Sequence, residues 1–228
     1  MKTTLIIGAS SAIGIALANQ LKANGEQVIA ISRNKPNGSH DQFFQHDLLT
    51  DSDLPKIEGI IDGLVYLPGT INLKPFRGIK KQDFLNDLEI NILGAIKSIQ
   101  AYTANLQLSN NASIVLYSTV AVQMGMNFHS SIAVSKGAVE GLTRALAAEF
   151  APKIRVNCIA PSLTNTPLAE KLLNTPEKIE ASNLRHPLKR VGTAVDLANA
   201  TEFLLSDKSS WMSGQIMHVD GGMSSIKT

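Results

Sequence analysis

The chain has 228 residues, 21 basic and 19 acidic side chains, a net charge of +2 and a hydrophobic share of 44%. This balance gives no electrostatic reason to expect a nucleic acid or an anionic membrane as a partner, and no apolar run approaches the roughly 20 residues of a membrane helix. Cys158 is the one cysteine, so no internal disulfide can form. Because this is typical of a reducing compartment, we expect a cytoplasmic protein, and we predict no metal site.

Short β-prone runs alternate with longer helical patterns, an order that predicts a parallel sheet with crossover helices. The predicted strands are Thr3–Ile7, Gln27–Ser32, Gln42–Gln45, Gly63–Leu67, Ser113–Thr119, Ile154–Ile159 and Gln215–Val219. The predicted helices include Gly14–Ala23, Lys81–Leu106 and Ser130–Phe150. Pro36 and Gly38 break the short link between Arg33 and Asp41, which predicts a loop in place of one crossover helix. No linker or repeat divides the chain, so we expect one domain over residues 1–228.

A glycine-containing loop joins the first strand to the first helix. It reads Gly8-Ala9-Ser10-Ser11-Ala12-Ile13-Gly14. Small residues let the backbone approach a pyrophosphate, and the amides and dipole of a helix N-terminus stabilise its negative charge. In this context the loop predicts a dinucleotide site on a Rossmann-type, doubly wound α/β sheet of about seven parallel strands, with helices on both faces.

Arg33 follows the second predicted strand, where NAD-binding folds often place an acidic residue against the ribose hydroxyls. No carboxylate stands there to repel a 2′-phosphate, and a guanidinium can pair with one. Arg33 can instead be a solvated loop residue. We predict NADP(H) in preference to NAD(H).

Further motifs, in order along the chain, resemble those of the short-chain dehydrogenase/reductase family. Besides the glycine loop they are Asp47-Leu48, Asn91, Ser135-Lys136-Gly137, Arg155-Val156-Asn157, Pro161, Thr164-x-Thr166, Pro187-Leu188 and Asp220-Gly221-Gly222. The resemblance implies an oxidoreductase that acts on a small carbonyl or alcohol compound and assembles as a homodimer or homotetramer, through the two long predicted helices. The residues it implies for cofactor binding, together with those from the loop and Arg33, are Gly8, Ser10, Ser11, Ile13, Gly14, Arg33, Asp47, Leu48, Gly69, Lys136, Pro161, Leu163 and Thr166.

The sequence departs from the family pattern at the position that carries the chemistry. The family's Tyr-x-x-x-Lys motif here has Ile132 before Lys136, and an isoleucine can neither give nor take a proton. At the family's serine position stands Thr119, whose hydroxyl can still polarise a carbonyl. Ser118 is adjacent, and only one of two neighbouring strand residues can face the site. Ala12 stands at the middle glycine of the family's cofactor loop. Tyr66-Leu67-Pro68-Gly69 stands where the family has Asn-Asn-Ala-Gly, so Gly69 is kept and the amide side chains are lost.

His129 is a candidate substitute for the missing acid, because it lies three residues before Ile132 and an imidazole is a competent proton donor. It can equally be a histidine bound to a nearby backbone group. Tyr102 is too far along its helix, and Tyr117 is expected to be a packed core ring. Lys136 is expected to contact the nicotinamide ribose, although a solvated lysine is the alternative. The candidate catalytic residues are Asn91, Thr119, Lys136 and His129.

Three functions therefore remain open. The first is an NADP(H)-dependent oxidoreductase with an atypical proton donor. The second, favoured by Ile132, is a catalytically silent NADP(H)-binding member of the family that regulates or acts as a scaffold. The third is a structural subunit without nucleotide, for which the glycine loop and Arg33 would have no use. Residues 162–187 are expected to form a lid over the substrate.

Overall fold

The computed structural model describes residues 1–50 and 52–227. Within these residues the strands are β1 (Thr3–Ile7), β2 (Gln27–Ser32), β3 (Gln42–Gln45), β4 (Gly63–Tyr66), β5 (Ala112–Tyr117), β6 (Ile154–Pro161), β7 (Thr164–Asn165), β8 (Gly192–Thr193) and β9 (Ile216–Val219). The helices are α1 (Ala12–Ala23), α2 (Lys81–Leu88), α3 (Gly94–Gln107), α4 (Ala121–Met124), α5 (Ser130–Phe150), α6 (Pro176–Arg185) and α7 (Ala194–Leu205). None of the described helices is long and apolar enough to cross a membrane.

Seven of the strands form one parallel sheet in the order β3-β2-β1-β4-β5-β6-β9, while β7 and β8 pair separately. The strand order reverses between β1 and β4, so the crevice of a doubly wound sheet lies beyond the carboxyl ends of these strands. The predicted α/β Rossmann-type fold is confirmed. The segment between β2 and β3 contains no helix, as the sequence predicted.

The core has two apolar layers, one on each face of the sheet, because successive strand residues point to opposite faces. On one face, Leu5 and Ile31 pack in a cluster that includes residues of α3 and α5. On the other face, Ile6 and Val65 pack with residues of α1 and α7. Burial on both faces explains why the central strands read as continuous apolar runs.

The long predicted helix Lys81–Leu106 is interrupted by a single π-helical turn over Glu89–Leu93, between α2 and α3. Tyr66 lies against this turn and donates a hydrogen bond from Oη to the Ile90 carbonyl, at 2.6 Å. Gly94 leaves room for the phenol, because a Cβ at this position would collide with Tyr66 Oη. The tyrosine that replaces a family amide thus braces β4 against the helix, a contact that no sequence motif predicted.

Helix α7 is also absent from the helices named from the sequence. Its start carries a recognisable signal, since Thr193 accepts a hydrogen bond from the Asp196 amide while the Asp196 carboxylate accepts one from the Thr193 amide. This reciprocal capping box reads Thr193-Ala194-Val195-Asp196 in the sequence.

Candidate active site

The glycine loop lines a cleft of about 380 Å³ at the carboxyl ends of β1 and β2, called here the loop cleft. Ser11 caps α1 by accepting a hydrogen bond from the Gly14 amide at 3.1 Å, and Gly8 has a positive φ of 82° that favours glycine. The predicted cofactor residues that line this cleft are Gly8, Ser10, Ser11, Ile13, Arg33, Asp47, Leu48, Gly69 and Thr166. Small residues and the amino end of a helix therefore face one concave space, as a pyrophosphate requires.

Gly14 is not among the residues that line the cleft. It is buried against the loop, where a Cβ would lie 2.8 Å from the Cα of Ala9. Its lack of a side chain lets α1 pack closely against the end of β1. Gly14 therefore shapes the backbone of the glycine loop but does not line the loop cleft.

Arg33 and Asp47 both line the loop cleft. Arg33 is exposed, and within the described residues its guanidinium forms no ion pair with a carboxylate. Asp47 accepts a hydrogen bond from the Leu49 amide at 3.1 Å, which orders the loop after β3. An exposed guanidinium that lines a cleft and has no carboxylate partner among the described residues is suited to a phosphate.

His46 also lines the loop cleft and was not predicted as a site residue. Burial, reinforced by the charge of Lys97, lowers the pKa of its imidazole. Its Nε2 is buried and has no hydrogen-bond partner among the described residues. A buried polar atom without a partner in a cleft fits a ligand with hydrogen-bonding groups. The signal in the sequence is its position directly before Asp47.

A larger cavity of about 840 Å³, called here the large cavity, adjoins the loop cleft. Both spaces share the lining residues Ile13, Leu67, Gly69, Thr166 and Leu168. The other predicted residues that line the large cavity are Thr119, His129, Lys136, Pro161 and Leu163. A molecule in the loop cleft can therefore reach a second molecule in the large cavity.

Asn91 lies behind the wall of these spaces and lines neither of them. It is buried, and its Nδ2 donates to the Asp87 carbonyl and the Thr70 hydroxyl at 2.9 Å and to Ser135 Oγ at 3.2 Å. Its Oδ1 accepts from the Thr70 amide at 3.3 Å. The amide thereby holds together the loop after β4, the π-helical turn and α5.

Lys136 points inward from α5, and its Nζ donates to the Tyr117 carbonyl at 2.8 Å. Burial lowers the pKa of this ammonium to about 8. A Cβ at Gly69 would lie 3.3 Å from Lys136 Nζ, so the glycine keeps this group open to the shared part of the two spaces. The solvated alternative for Lys136 is wrong, because the residue is buried.

Ser118 and Thr119 follow the end of β5, and both line the large cavity, so they are not divided between two faces as strand alternation predicted. Their hydrogen-bond partners differ. Ser118 Oγ donates to the buried carboxylate of Glu140 at 2.8 Å. Thr119 Oγ1 accepts from the Ala121 amide at 3.3 Å and lines the large cavity. An accepted bond leaves the threonine proton available to a carbonyl oxygen.

His129 is the residue directly before α5, is partly exposed and lines the large cavity. Its Nδ1 lies 2.7 Å from the Asn127 carbonyl and must carry the proton, because a carbonyl only accepts. The backbone contact expected of a non-catalytic His129 is present, and the residue also lines the cavity that a catalytic one requires. Ile132, one turn further on, is 5% exposed and also lines the cavity.

A second imidazole at the large cavity was missed from the sequence. His186 is buried, its Nδ1 lies 2.7 Å from the Ser182 carbonyl, and its Nε2 lies 2.8 Å from Ser162 Oγ. Nδ1 carries a proton and donates a hydrogen bond to the carbonyl. In the neutral ring Nε2 therefore has no proton and accepts a hydrogen bond from the serine hydroxyl. Ser162 directly follows Pro161, but 24 residues separate it from His186, and no local spacing announces the pair.

Comparison with known proteins places these features in context. Residues 51–224 match the family model described as Enoyl-(Acyl carrier protein) reductase. The chain is 32% identical to a tropinone reductase homolog of Arabidopsis thaliana, over 97% of this chain and 91% of that protein. It is also 32% identical to a 3-oxoacyl-acyl-carrier-protein reductase of Thermotoga maritima, over 97% of each chain. With L-xylulose reductase of Bos taurus it shares 30% identity, over 97% of this chain and 96% of that protein.

Solved structures agree with the sequence matches. Thermoplasma acidophilum aldohexose dehydrogenase in its ligand-free form superposes with a TM-score of 0.89 at 26% identity, covering 100% of this chain and 96% of that one. A variant of ElxO with NADPH bound superposes with a TM-score of 0.87 at 25% identity, covering 99% of each chain. The whole described architecture is therefore shared with dehydrogenases and reductases.

Proposed function

The chain belongs to the short-chain dehydrogenase/reductase family of NAD(P)-dependent oxidoreductases, and from this premise we propose that it is an NADP(H)-dependent oxidoreductase with an atypical proton donor. Its substrate is a small carbonyl or alcohol compound. The observation that carries the proposal is the continuity of the loop cleft with the large cavity at Gly69 and Thr166, beside Lys136. When bound, the cofactor supplies or accepts a hydride. The residues of the chain bind the cofactor, orient the substrate and move the proton.

The loop cleft fits a dinucleotide on three features of its own. The capped amino end of α1 offers unpaired amides to a pyrophosphate, Arg33 offers a guanidinium, and His46 Nε2 is buried without a partner. Lys136 is available to a ribose hydroxyl beneath Gly69. The Thr119 hydroxyl holds the substrate oxygen by donating a hydrogen bond to it.

Arg33 is expected to determine the preference for NADPH. Replacement of Arg33 by alanine should weaken NADPH binding about 10–100-fold, because a charge-assisted bond to the 2′-phosphate is lost, and should leave NADH binding nearly unchanged. Titration of the purified protein with each cofactor, followed by nicotinamide fluorescence, measures both affinities. Equal affinities of the native protein for NADH and NADPH would contradict the preference.

The proton is proposed to come from His129. Two imidazoles line the large cavity, but both ring nitrogens of His186 are already engaged, so it can reach a substrate only through Ser162. His129 uses Nδ1 to hold the Asn127 carbonyl, and its Nε2 has no partner among the described residues. In the reducing direction the imidazolium gives its Nε2 proton to the substrate oxygen. In the oxidising direction neutral Nε2 takes that proton.

Replacement of His129 by glutamine is expected to lower kcat about 10²-fold or more with little change in KM, because glutamine keeps a polar contact but cannot donate a proton at neutral pH. NADPH oxidation with a panel of carbonyl compounds is the measurement, and His186→Gln is the matched comparison. Full turnover in His129→Gln together with a large loss in His186→Gln would move the proton source to the Ser162–His186 pair.

Ile132 favours a second candidate function, a catalytically silent member that binds NADP(H) and regulates or acts as a scaffold. An aliphatic side chain stands where the family places its acid, and it is packed into the cavity wall. Turnover by the native protein would exclude the silent function. Turnover that appears only after Ile132→Tyr would support it.

Assembly as a homodimer or homotetramer is also proposed. The long helical segments carry exposed apolar side chains, namely Leu85 on α2, Leu93 on the π-helical turn and Val134 on α5. Light scattering on the purified protein is expected to give two or four times the chain mass. A monomer at micromolar concentration would contradict this expectation.

A further inference from the structure

The fixed charges that line the large cavity are all positive. Four cationic side chains line it, from Lys136, Lys171, Lys178 and Arg185, and the lining residues within the described chain include no aspartate or glutamate. A cavity with apolar walls and charge of one sign attracts a ligand of the opposite sign, because the low-dielectric walls screen the charges poorly.

Three of these cations come from residues 162–187, the segment expected to form the lid. Lys178 Nζ donates to Asn174 Oδ1 at 2.7 Å and to the Lys171 carbonyl at 3.1 Å, and Arg185 Nη2 donates to Ser182 Oγ at 3.1 Å. These acceptors are neutral. In the part of the chain that the structure describes, none of the three cations forms an ion pair with a carboxylate.

The neighbouring acidic residues do not cancel this charge within the cavity. Glu170, Glu177 and Glu180 belong to the same segment, but they are exposed and are absent from the cavity lining. Glu177 accepts hydrogen bonds at the start of α6, which lower the pKa of its carboxyl. The basic side chains of the segment therefore contribute to the lining of the large cavity, whereas its carboxylates do not.

The proposed cofactor does not account for these cations. Lys171, Lys178 and Arg185 line the large cavity alone, whereas Arg33 and the glycine loop line the loop cleft. The phosphates of a dinucleotide are expected in the loop cleft. The lid cations consequently face whatever shares the large cavity with the nicotinamide.

The remaining wall of the large cavity is mainly apolar. Its aliphatic and thioether side chains include Ile71, Leu73, Met126, Ile132, Leu163 and Leu172. Removing alkyl groups from water into such a wall favours binding by roughly fourfold for each methylene. A sugar, with a hydroxyl on nearly every carbon, has fewer alkyl groups to bury against this wall.

We propose that the substrate is an apolar carbonyl or alcohol compound that carries one anionic group, either a carboxylate or a phosphate. The reacting oxygen lies at Thr119, the apolar body packs on the aliphatic wall, and the anion is bound by Lys171 and Arg185 of the lid, next to Lys178. The inference rests on the proposed oxidoreductase function, because it assigns the reacting oxygen to Thr119. The anion site itself depends only on the cavity.

The test uses octanoate, octyl phosphate and 1-octanol as probes, with binding to the full-length protein measured by titration calorimetry at low ionic strength. These compounds share the alkyl chain and differ in the head group, so they report binding without turnover. At least one anionic probe is expected to bind about tenfold or more tightly than 1-octanol. The two anions distinguish a carboxylate site from a phosphate site.

The double variant Lys171→Gln/Arg185→Gln is expected to lose most of this preference and to keep its affinity for 1-octanol. The matched control is Lys153→Gln/Lys208→Gln, which removes the same charge from two exposed residues outside both spaces and should keep the preference. Equal affinity of the native protein for all three probes would overturn the proposal. So would a preference that the double variant retains, because the anion would then be held elsewhere.

Failure of the oxidoreductase proposal gives a different result. In that case NADPH would not bind, or no carbonyl compound with a carboxylate or phosphate group would be reduced. The anionic probe would still bind in preference to 1-octanol. Loss of the probe preference with intact NADPH turnover would instead overturn the substrate class alone.

Discussion

In the His129→Gln variant, which lacks the proposed proton donor, replacement of Ile132 by tyrosine is expected to raise kcat for NADPH-dependent carbonyl reduction by about 10²-fold or more, because it supplies a positioned general acid. Ile132 lies on α5 four residues before Lys136, so the two side chains share one helix face. It also lines the large cavity, into which a phenol ring can extend. The new hydroxyl would stand between the Lys136 ammonium, which favours the phenolate, and the substrate oxygen at Thr119.

The matched control is Ile132→Phe, which adds the same ring without the hydroxyl. In the same His129→Gln background the phenylalanine variant should keep the turnover of His129→Gln alone, so that any gain in the tyrosine variant belongs to the proton. NADPH absorbance with a carbonyl panel measures both variants. If Ile132→Tyr binds NADPH with native affinity and shows no gain over Ile132→Phe, the large cavity does not hold the reacting carbonyl at this position.

Replacement of Lys136 by methionine is expected to stabilise the cofactor-free protein and to weaken NADPH binding about tenfold or more. Burial lowers the pKa of this ammonium from its ordinary value of 10.5 to about 8, so the charged form destabilises the folded state. The difference corresponds to about 3 kcal/mol at most, reduced by the lost bond to the Tyr117 carbonyl. Loss of the proposed ribose contact accounts for the weaker NADPH binding.

The stability effect should depend on pH in a defined direction. Between about pH 8 and 10.5 the unfolded chain holds the Lys136 proton and the folded chain does not, so the free energy of unfolding of the native protein rises with pH across this window. Below about pH 8 both states are protonated and the penalty is complete. The gain in Tm of Lys136→Met should thus be largest below pH 8 and fade toward pH 10.5.

Lys153→Met is the control for this pH dependence, because Lys153 is exposed and its substitution removes an equal charge at the surface. Thermal unfolding of both variants and of the native protein at several pH values gives the comparison. A gain in Tm for Lys136→Met that is the same at all these pH values would show that the buried charge is not its cause.

The fold was largely predictable because its signals are local. Strands β1, β2 and β3 have the predicted bounds, and the other strands of the large sheet differ by one or two residues at one end or, for β5, at both. Helix α5 spans Ser130–Phe150 as predicted, because its apolar positions repeat at helical spacing over the full length. Helix α1 begins at Ala12 rather than Gly14, because the cap at Ser11 starts it two residues earlier.

Most of the site residues predicted from the sequence line the loop cleft or the large cavity. Parallel strands bring their carboxyl ends to one edge of the sheet, so residues that follow different strands, such as Gly8 and Thr119, meet there. Gly14 and Asn91 line neither space. Both stand at their family motif positions, but Gly14 lets α1 pack closely against the glycine loop, and Asn91 hydrogen-bonds to neighbouring elements behind the cavity wall.

The sequence by itself therefore determined the sheet, the glycine loop and the absence of a tyrosine before Lys136, since each depends on neighbouring residues and a repeating spacing. Only the tertiary structure decided the burial of Lys136, the π-helical turn beneath Tyr66, the contact of Ser162 with His186 and the place of Lys171, Lys178 and Arg185 in the lining of the large cavity. These features depend on contacts between side chains that are far apart along the chain. Such contacts follow from how helices and strands pack in three dimensions, and no local period encodes them.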